Sequence, residues 1–215
     1  MPSHRYSLIA KEGWPLIVIL LFFCVVFNHS VPILIYPTVL ILIFVVYLLR
    51  DPHRLIPSAP LGVVSPVHGT ITLIEQYESQ RLSQTVWRIR IRMNWMDIYS
   101  LRSPIEGKII EQWATRKEEK NKRHDFLVCT DEGDQVLTKI EYRNKYFSNI
   151  ALVSGQRIGQ GKRCGFLFLG GEVDVSIAGD VNLEVTEGVR VQSGSSVIAH
   201  LVHHDSVSTI NMKHE

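Results

Sequence analysis

Three sets of side chains stand at spacings that could do chemistry. His200, His203 and His204 lie at i, i+3 and i+4, which on a helix would turn three imidazoles toward one metal ion. Their context, EVTEGVRVQSGSSVIAHL, instead sets Gly188 and Gly194 between β-branched runs and predicts strands. On a strand the three histidines do not share a face, so a polar tail is expected and no metal site. Cys24, Cys129 and Cys164 are odd in number and widely spaced, and Cys24 falls inside an apolar run. That excludes a disulfide framework and predicts small buried thiols in a reducing compartment. Arg88, Arg90 and Arg92 alternate with apolar residues in TVWRIRIRM, as in a strand with one wet face. Such a positive ribbon is commonly just a solvated strand face; near a membrane, as a second reading, it would meet anionic headgroups at about 1 kcal/mol per basic residue. Arg50, Arg54 and Arg102 are further candidates for lipid contact.

These residues are carried by two unlike parts of the chain. Of 215 residues 46% are hydrophobic, and the apolar ones crowd toward the N-terminus. Trp14 to Phe27 is free of charge, and after Asn28-His29-Ser30 a second uncharged run extends from Val31 to Leu49. Together they predict a transmembrane helical hairpin over residues 1–50. The second run is long enough for the roughly 30 Å of a bilayer's hydrocarbon; the first, shorter than the usual ~17 residues, has the weaker case for a full crossing. No small-residue cleavage site separates the runs, which argues against a signal peptide. Arg5 and Lys11 precede the hairpin and Arg50 and Arg54 follow it, while the connecting NHSVP carries no cation. The positive-inside bias therefore predicts both termini, and the following domain, on the cytoplasmic side of the inner membrane.

Beyond Pro57 the chain breaks into short apolar segments punctuated by Gly, Pro and Asp, which predicts a compact, mainly β (α+β) domain over 51–215. IEYRNKYFSNI could supply one short helical turn, and KEEKNKR (117–123) reads as a solvated loop. GVVSPVHGTI and SLRSPIEGKII share Ser-Pro-x-x-Gly before a hydrophobic strand, as strand-entry turns would. The formal net charge of +2 and the lack of a Cys/His finger spacing exclude a nucleic-acid partner.

YLLRDPHRLIP, SPVHG, WMDIYSLRSPIEGKI and GKRCGFLFLGGEVDVSIAG, in that order, resemble the short prokaryotic type of phosphatidylserine decarboxylase. The resemblance covers nearly the whole chain, and the ordered set carries it rather than any one motif. It implies a proenzyme that cuts itself before the serine of a Gly-Ser element, leaving a pyruvoyl group that serves as electron sink for decarboxylation. This sequence departs from that pattern where the chemistry lies. The Gly-Ser element falls on Gly170-Gly171, the family's acidic residue on His68, and the family's histidine on Tyr99. Glycine offers no hydroxyl to attack the preceding carbonyl, histidine replaces a fixed negative charge, and tyrosine, with a reference pKa near 10, is a poor base at neutral pH. Arg102, Pro104, Gly107, Arg163, Gly165, Val173 and Asp174 follow the family pattern, so the scaffold is expected to persist.

Two decoys accompany the vacated positions. Gly194-Ser195-Ser196 is a Gly-Ser step but lies in a terminal region where the family has a plain turn; Cys164 stands seven residues before Gly171, on a different part of the strand. His68 and Tyr99 are expected either as a hydrogen-bonded ligand pair in the old pocket or as a satisfied structural pair. The departures at Gly171, His68 and Tyr99 then imply a catalytically inactive membrane protein that acts by binding lipid or a protein partner, with no pyruvoyl cofactor. Its expected partners are the bilayer, an aminophospholipid, and a homo-oligomeric or hetero-oligomeric protein partner. The alternative is an active decarboxylase using an unrecognised route.

Overall fold

The uncharged N-terminal runs form two antiparallel helices, α1 (Trp14–Ser30) and α2 (Ile35–Leu48), in a computed structural model that describes residues 9–52, 55–57, 59, 61–116, 122–142 and 148–203. A 3-10 turn at Lys11–Gly13 leads into α1, giving a continuous helical stretch of 20 residues, Lys11–Ser30, about 30 Å long. Val31 is extended (φ −145°), Pro32 restarts a 3-10 turn, and the second stretch, Pro32–Leu48, has 17 residues. The relative lengths thus reverse the sequence expectation. The Lys11 turn lengthens the first helix, while the end of the second run is drawn off: Ala10 N–H donates to the Leu49 carbonyl at 2.9 Å, and Ile9 bridges Arg50. Among the described residues one helix is long and apolar enough to cross a membrane. It is almost entirely unburied, with Val18, Phe22 and Val25 exposed, so it is not the core helix of a water-soluble fold.

The rest is β-rich. In chain order come β1 (Gly62–Val64), β2 (Gly69–Ser79), β3 (Gln84–Arg92), β4 (Ser100–Arg102) and β5 (Gly107–Arg116). Next are β6 (Lys122–Cys129), β7 (Gln135–Tyr142), β8 (Asn149–Ile150), β9 (Arg157–Ile158) and β10 (Arg163–Phe166). The last four are β11 (Gly171–Ala178), β12 (Val181–Leu183), β13 (Arg190–Val191) and β14 (Val197–Leu201). Eight strands make an antiparallel sheet in the order β13-β2-β3-β11-β7-β6-β5-β9; β1-β14-β12 and β4-β10-β8 make two small sheets. Ile71, Ile89, Ile91, Ile109, Phe126, Val173 and Val175 meet in one core, which also takes in Ala10, Ile17, Leu48 and Leu49 from the base of the hairpin. Residues 117–121 of KEEKNKR and 143–147 of IEYRNKYFSNI lie outside the described residues.

The two Ser-Pro-x-x-Gly segments are strand-entry turns, and they form a near-symmetric pair. Ser65 Oγ donates to the Val67 carbonyl at 2.7 Å and Ser103 Oγ to the Ile105 carbonyl at 2.8 Å. The turns then exchange backbone bonds, Val64 N–H to Pro104 O and Arg102 N–H to Pro66 O, both 2.8 Å. Gly69 and Gly107 are required for close approach rather than for turning: a β-carbon on either would run into a neighbouring strand's carbonyl, that of Arg92 or Cys129. The symmetry extends further, because Gly161 N–H donates to Ser103 O and Gly194 N–H to Ser65 O, with φ of +65° and +72°. Gly194-Ser195 is therefore the counterpart of Gly161-Lys162, a turn that pins a strand entry.

Candidate functional site

Gly170 and Gly171 sit where the chain turns from β10 into β11. Leu169 (φ +62°) and Gly170 (φ +77°) are consecutive left-handed residues, and the turn is closed by Gly170 N–H to Leu167 O at 3.0 Å. Glycine takes that conformation freely; leucine holds it at a cost of about 1–2 kcal/mol, so the surrounding contacts impose it. Gly171 then begins the ladder opposite Tyr142, and its carbonyl accepts from Met93 N–H at 2.9 Å. A β-carbon on Gly171 would overlap the Glu141 carbonyl oxygen, and one on Gly170 would lie 3.1 Å from Met93 Cβ.

The segment after β3 joins this turn to the other two positions. Asn94 N–H donates to Asp97 Oδ2 at 2.7 Å and Asp97 N–H to Asn94 O at 3.0 Å, which folds residues 94–97 into a tight turn. Asp97, buried, is paired with Arg190 from β13, and His68 Nε2 lies 3.6 Å from its Oδ1. Tyr99, also buried, donates its hydroxyl to the Trp95 carbonyl and meets Phe166 and Phe168 edge-on, with ring centroids 5.7 and 5.5 Å away. Burial, and after it the Asp97 carboxylate, push the Tyr99 phenol above its ordinary value, while Arg50 opposes them. Positions 68, 99, 170 and 171 therefore gather around the Met93–Tyr99 segment, but His68 pairs with Asp97 and Tyr99 with a backbone carbonyl, not with each other. A buried carboxylate is the stronger partner for imidazole, and the phenyl faces hold Tyr99 inward. Arg190 and Glu141 carry no signal in the sequence; each is brought here by strand pairings distant along the chain.

Beside Gly171 lies a cavity of about 330 Å³ lined by Arg92, Asn94, Trp95, Glu141, Tyr142 and Glu172, with Met93 and Leu169 completing it. Its wall carries both charge signs. The residues at its edge do not fit a pyruvoyl group, since no side-chain oxygen stands at position 171 and no space for a β-carbon is left there.

The arginine ribbon is neutralised within the sheet, which corrects the expectation of a positive face. Arg88 pairs with Glu75 on β2; Arg90 grips Asp174 on β11 in bidentate fashion at 2.7 and 2.9 Å; Arg92 donates to Glu172 at 2.7 Å. Any lipid contact by these three must compete with those carboxylates. Arg102 is largely buried, donating to the Gly161 carbonyl at 3.1 Å and facing Asp51 at 3.4 Å. Arg50 donates to the Tyr47 carbonyl at 2.9 Å and stacks over the Tyr47 ring at 3.9 Å; Arg54 lies outside the described residues. Arg163 clasps Glu12 at 2.8 Å and Asp51 at 3.2 Å, joining β10 to both ends of the hairpin.

The cysteine and histidine candidates lie apart from this cavity. Burial pushes the Cys164 thiol up to about 12, so it is no nucleophile at neutral pH. His200, on β14, lies 4.0 Å from Glu184, whereas His203 meets Asp134 at 2.9 Å and Glu132 at 3.4 Å; His204 is outside the described residues.

With this geometry in place, the comparisons with known proteins point one way. The phosphatidylserine decarboxylase family profile matches residues 41–199. A phosphatidylserine decarboxylase proenzyme of Aromatoleum aromaticum is 30% identical over 212 residues, covering 93% of this chain and 98% of its own. Those of Cupriavidus metallidurans and Burkholderia cenocepacia are 26% and 28% identical, each over 93% of this chain and 98% or 99% of their own. No solved structure matches the chain.

Proposed function

The chain belongs to the phosphatidylserine decarboxylase family, and we propose that it is a membrane-held member that binds a phospholipid headgroup without decarboxylating it. The observation that carries this is at Gly171: the position has no hydroxyl, and the Glu141 carbonyl fills the space a side chain would need. Without that oxygen no ester forms with the preceding residue, and no elimination can yield a carbonyl cofactor. The two positions that would assist are engaged elsewhere, His68 beside Asp97 and Tyr99 under Trp95.

What remains is a mixed-charge cavity. Arg92 offers a guanidinium to a phosphate or carboxylate, and Glu141 and Glu172 offer carboxylates to an ammonium. That combination suits an aminophospholipid, whose headgroup carries both signs. The apolar hairpin keeps the cavity at a bilayer, and the absence of cations from NHSVP together with Arg50 at the hairpin's base supports a cytoplasmic domain at an inner membrane.

Two measurements on the full-length protein in detergent test the proposal. Intact-mass spectrometry is expected to give one uncleaved chain near 24.5 kDa; two fragments, one bearing a pyruvoyl mass, would sink the inactive assignment and leave a decarboxylase. Titration with short-chain phosphatidylserine is expected to give saturable heat that Arg92→Gln weakens. No heat from either protein would remove the headgroup role.

A further inference from the structure

The Asn94–Asp97 turn presents two large apolar side chains to solvent, Trp95 at 50% exposure and Met96 at 40%, and Leu169 across the cavity mouth is 42% exposed. Three large apolar side chains held outward together are a costly arrangement for a water-facing surface, and among the described residues they stand exposed. They are continuous with the hairpin: Trp95 meets Phe44 of α2 with ring centroids 6.2 Å apart. Phe44 lies one turn before Leu48, the last residue of α2, so Trp95 stands about 6 Å along the hairpin from the point where it enters the domain. The same end of the hairpin carries Trp14, 51% exposed at the start of α1, and Tyr47, 46% exposed near the end of α2, with the Arg50 guanidinium over the Tyr47 ring. An apolar rod with tryptophan, tyrosine and arginine ringed at one end has the pattern by which proteins seat themselves at the headgroup level of a membrane.

We propose that Trp95, Met96 and Leu169 form an interfacial wedge that enters the acyl-chain boundary beside the hairpin, so that the cavity next to Gly171 opens at the headgroup plane of the bilayer. The occupant of this apolar surface is lipid, because Trp95 packs against Phe44 on the exposed apolar surface of α2. The inference rests on the hairpin being membrane-embedded and does not depend on whether the chain is cleaved. Seated in this way, the turn that holds Asp97, and through it His68, lies against the membrane. A phospholipid could present its headgroup to Arg92 and Glu172 without leaving the leaflet.

Tryptophan fluorescence tests this on the whole chain in nanodiscs. The variant Trp14→Phe, Trp87→Phe, Trp113→Phe keeps Trp95 alone, and its counterpart with Trp95→Phe in place of Trp14→Phe keeps Trp14 alone. Lipids brominated near the headgroup end of the acyl chain are expected to reduce Trp95 emission by about half, as for a side chain 5–10 Å into the boundary. Trp95 unquenched while Trp14 is quenched would overturn the wedge and leave the anchor standing. Neither quenched would overturn both. Should the triple variants not fold, wild type and Trp95→Phe supply the same reading by difference: loss of quenchable emission in Trp95→Phe supports the wedge, and an unchanged quenchable fraction overturns it.

Discussion

The carbonyl oxygen of Glu141 occupies the space that a β-carbon on Gly171 would need. The two residues lie at the junction of β7 and β11, where Gly171 pairs with Tyr142, so the strand spacing depends on the missing side chain. Gly171→Ser would restore a hydroxyl at the family's cleavage position, but only by forcing the strands apart. The expected outcome is an intact chain with a stability loss of about 1–3 kcal/mol from overpacking. Intact-mass spectrometry and thermal unfolding read both effects. Efficient cleavage of this single variant would show that His68 and Tyr99 are no obstacle.

Tyr99 is a second departure whose role the structure makes structural. Its ring is boxed by Phe166 and Phe168, and its hydroxyl goes to the Trp95 carbonyl. Tyr99→Phe is expected to cost about 1 kcal/mol for the lost hydrogen bond, and Tyr99→Ala about 3–5 kcal/mol for the cavity. Denaturant unfolding in detergent separates them; equal losses would mean that the hydroxyl, not the ring, holds the site together.

Much of the fold is legible in the sequence, and the reason is local. Period-two alternation marks β3, the paired Ser-Pro-x-x-Gly segments mark the entries to β2 and β5, and uncharged runs mark the hairpin. What is not legible comes from distant pairing. The ribbon of Arg88, Arg90 and Arg92 reads as positive because its neutralising partners belong to other strands, Asp174 lying 84 residues from Arg90 and Glu172 80 residues from Arg92. Asp97 lies inside one of the ordered motifs, but its partners do not show there, since Arg190 is 93 residues away and His68 comes from another turn. Positions 68, 99 and 171 are found only through the ordered motifs around them. That the Gly171 position has also closed sterically depends on the register of β7 against β11, which no local pattern encodes.

Cys164 gives a pH dependence with a definite sign. Its thiol donates toward the Leu101 carbonyl at 3.6 Å, and burial raises it from near 9 to about 12. A group with a raised folded-state pKa keeps its proton in the native state while the unfolded chain loses it. Stability is therefore unaffected well below pH 9 and falls as pH rises toward 12, by up to about 1.4 kcal/mol per pH unit from this thiol. Tyr99 and Tyr142, both raised chiefly by burial, act in the same direction. Urea midpoints measured from pH 8 upward should decline more steeply for wild type than for Cys164→Ala; parallel curves would show that the thiol titrates normally.

Arg163 offers the sharpest test of how the hairpin is fixed to the domain. It is partly buried and holds Glu12 at 2.8 Å and Asp51 at 3.2 Å, one carboxylate from each end of the hairpin, while Arg102 approaches Asp51 at 3.4 Å from β4. Removing it leaves Glu12 without this cation and Asp51 with Arg102 alone. The Arg163–Glu12 contact is a charge-assisted hydrogen bond, worth about 1.5–3 kcal/mol when sheltered, so Arg163→Ala should cost about that much. Arg157, by contrast, pairs with Asp131 and Glu106 on an exposed surface, where ion pairs contribute ~0–1 kcal/mol, and Arg157→Ala should be close to neutral. Raising salt should narrow the Arg157 difference while leaving most of the Arg163 loss in place, because sheltered pairs are screened least. If both variants lose the same stability and both losses vanish in salt, the clasp is a surface interaction and the hairpin is held by apolar packing, that of Ala10, Ile17, Leu48 and Leu49 in the core and of Phe44 against Trp95.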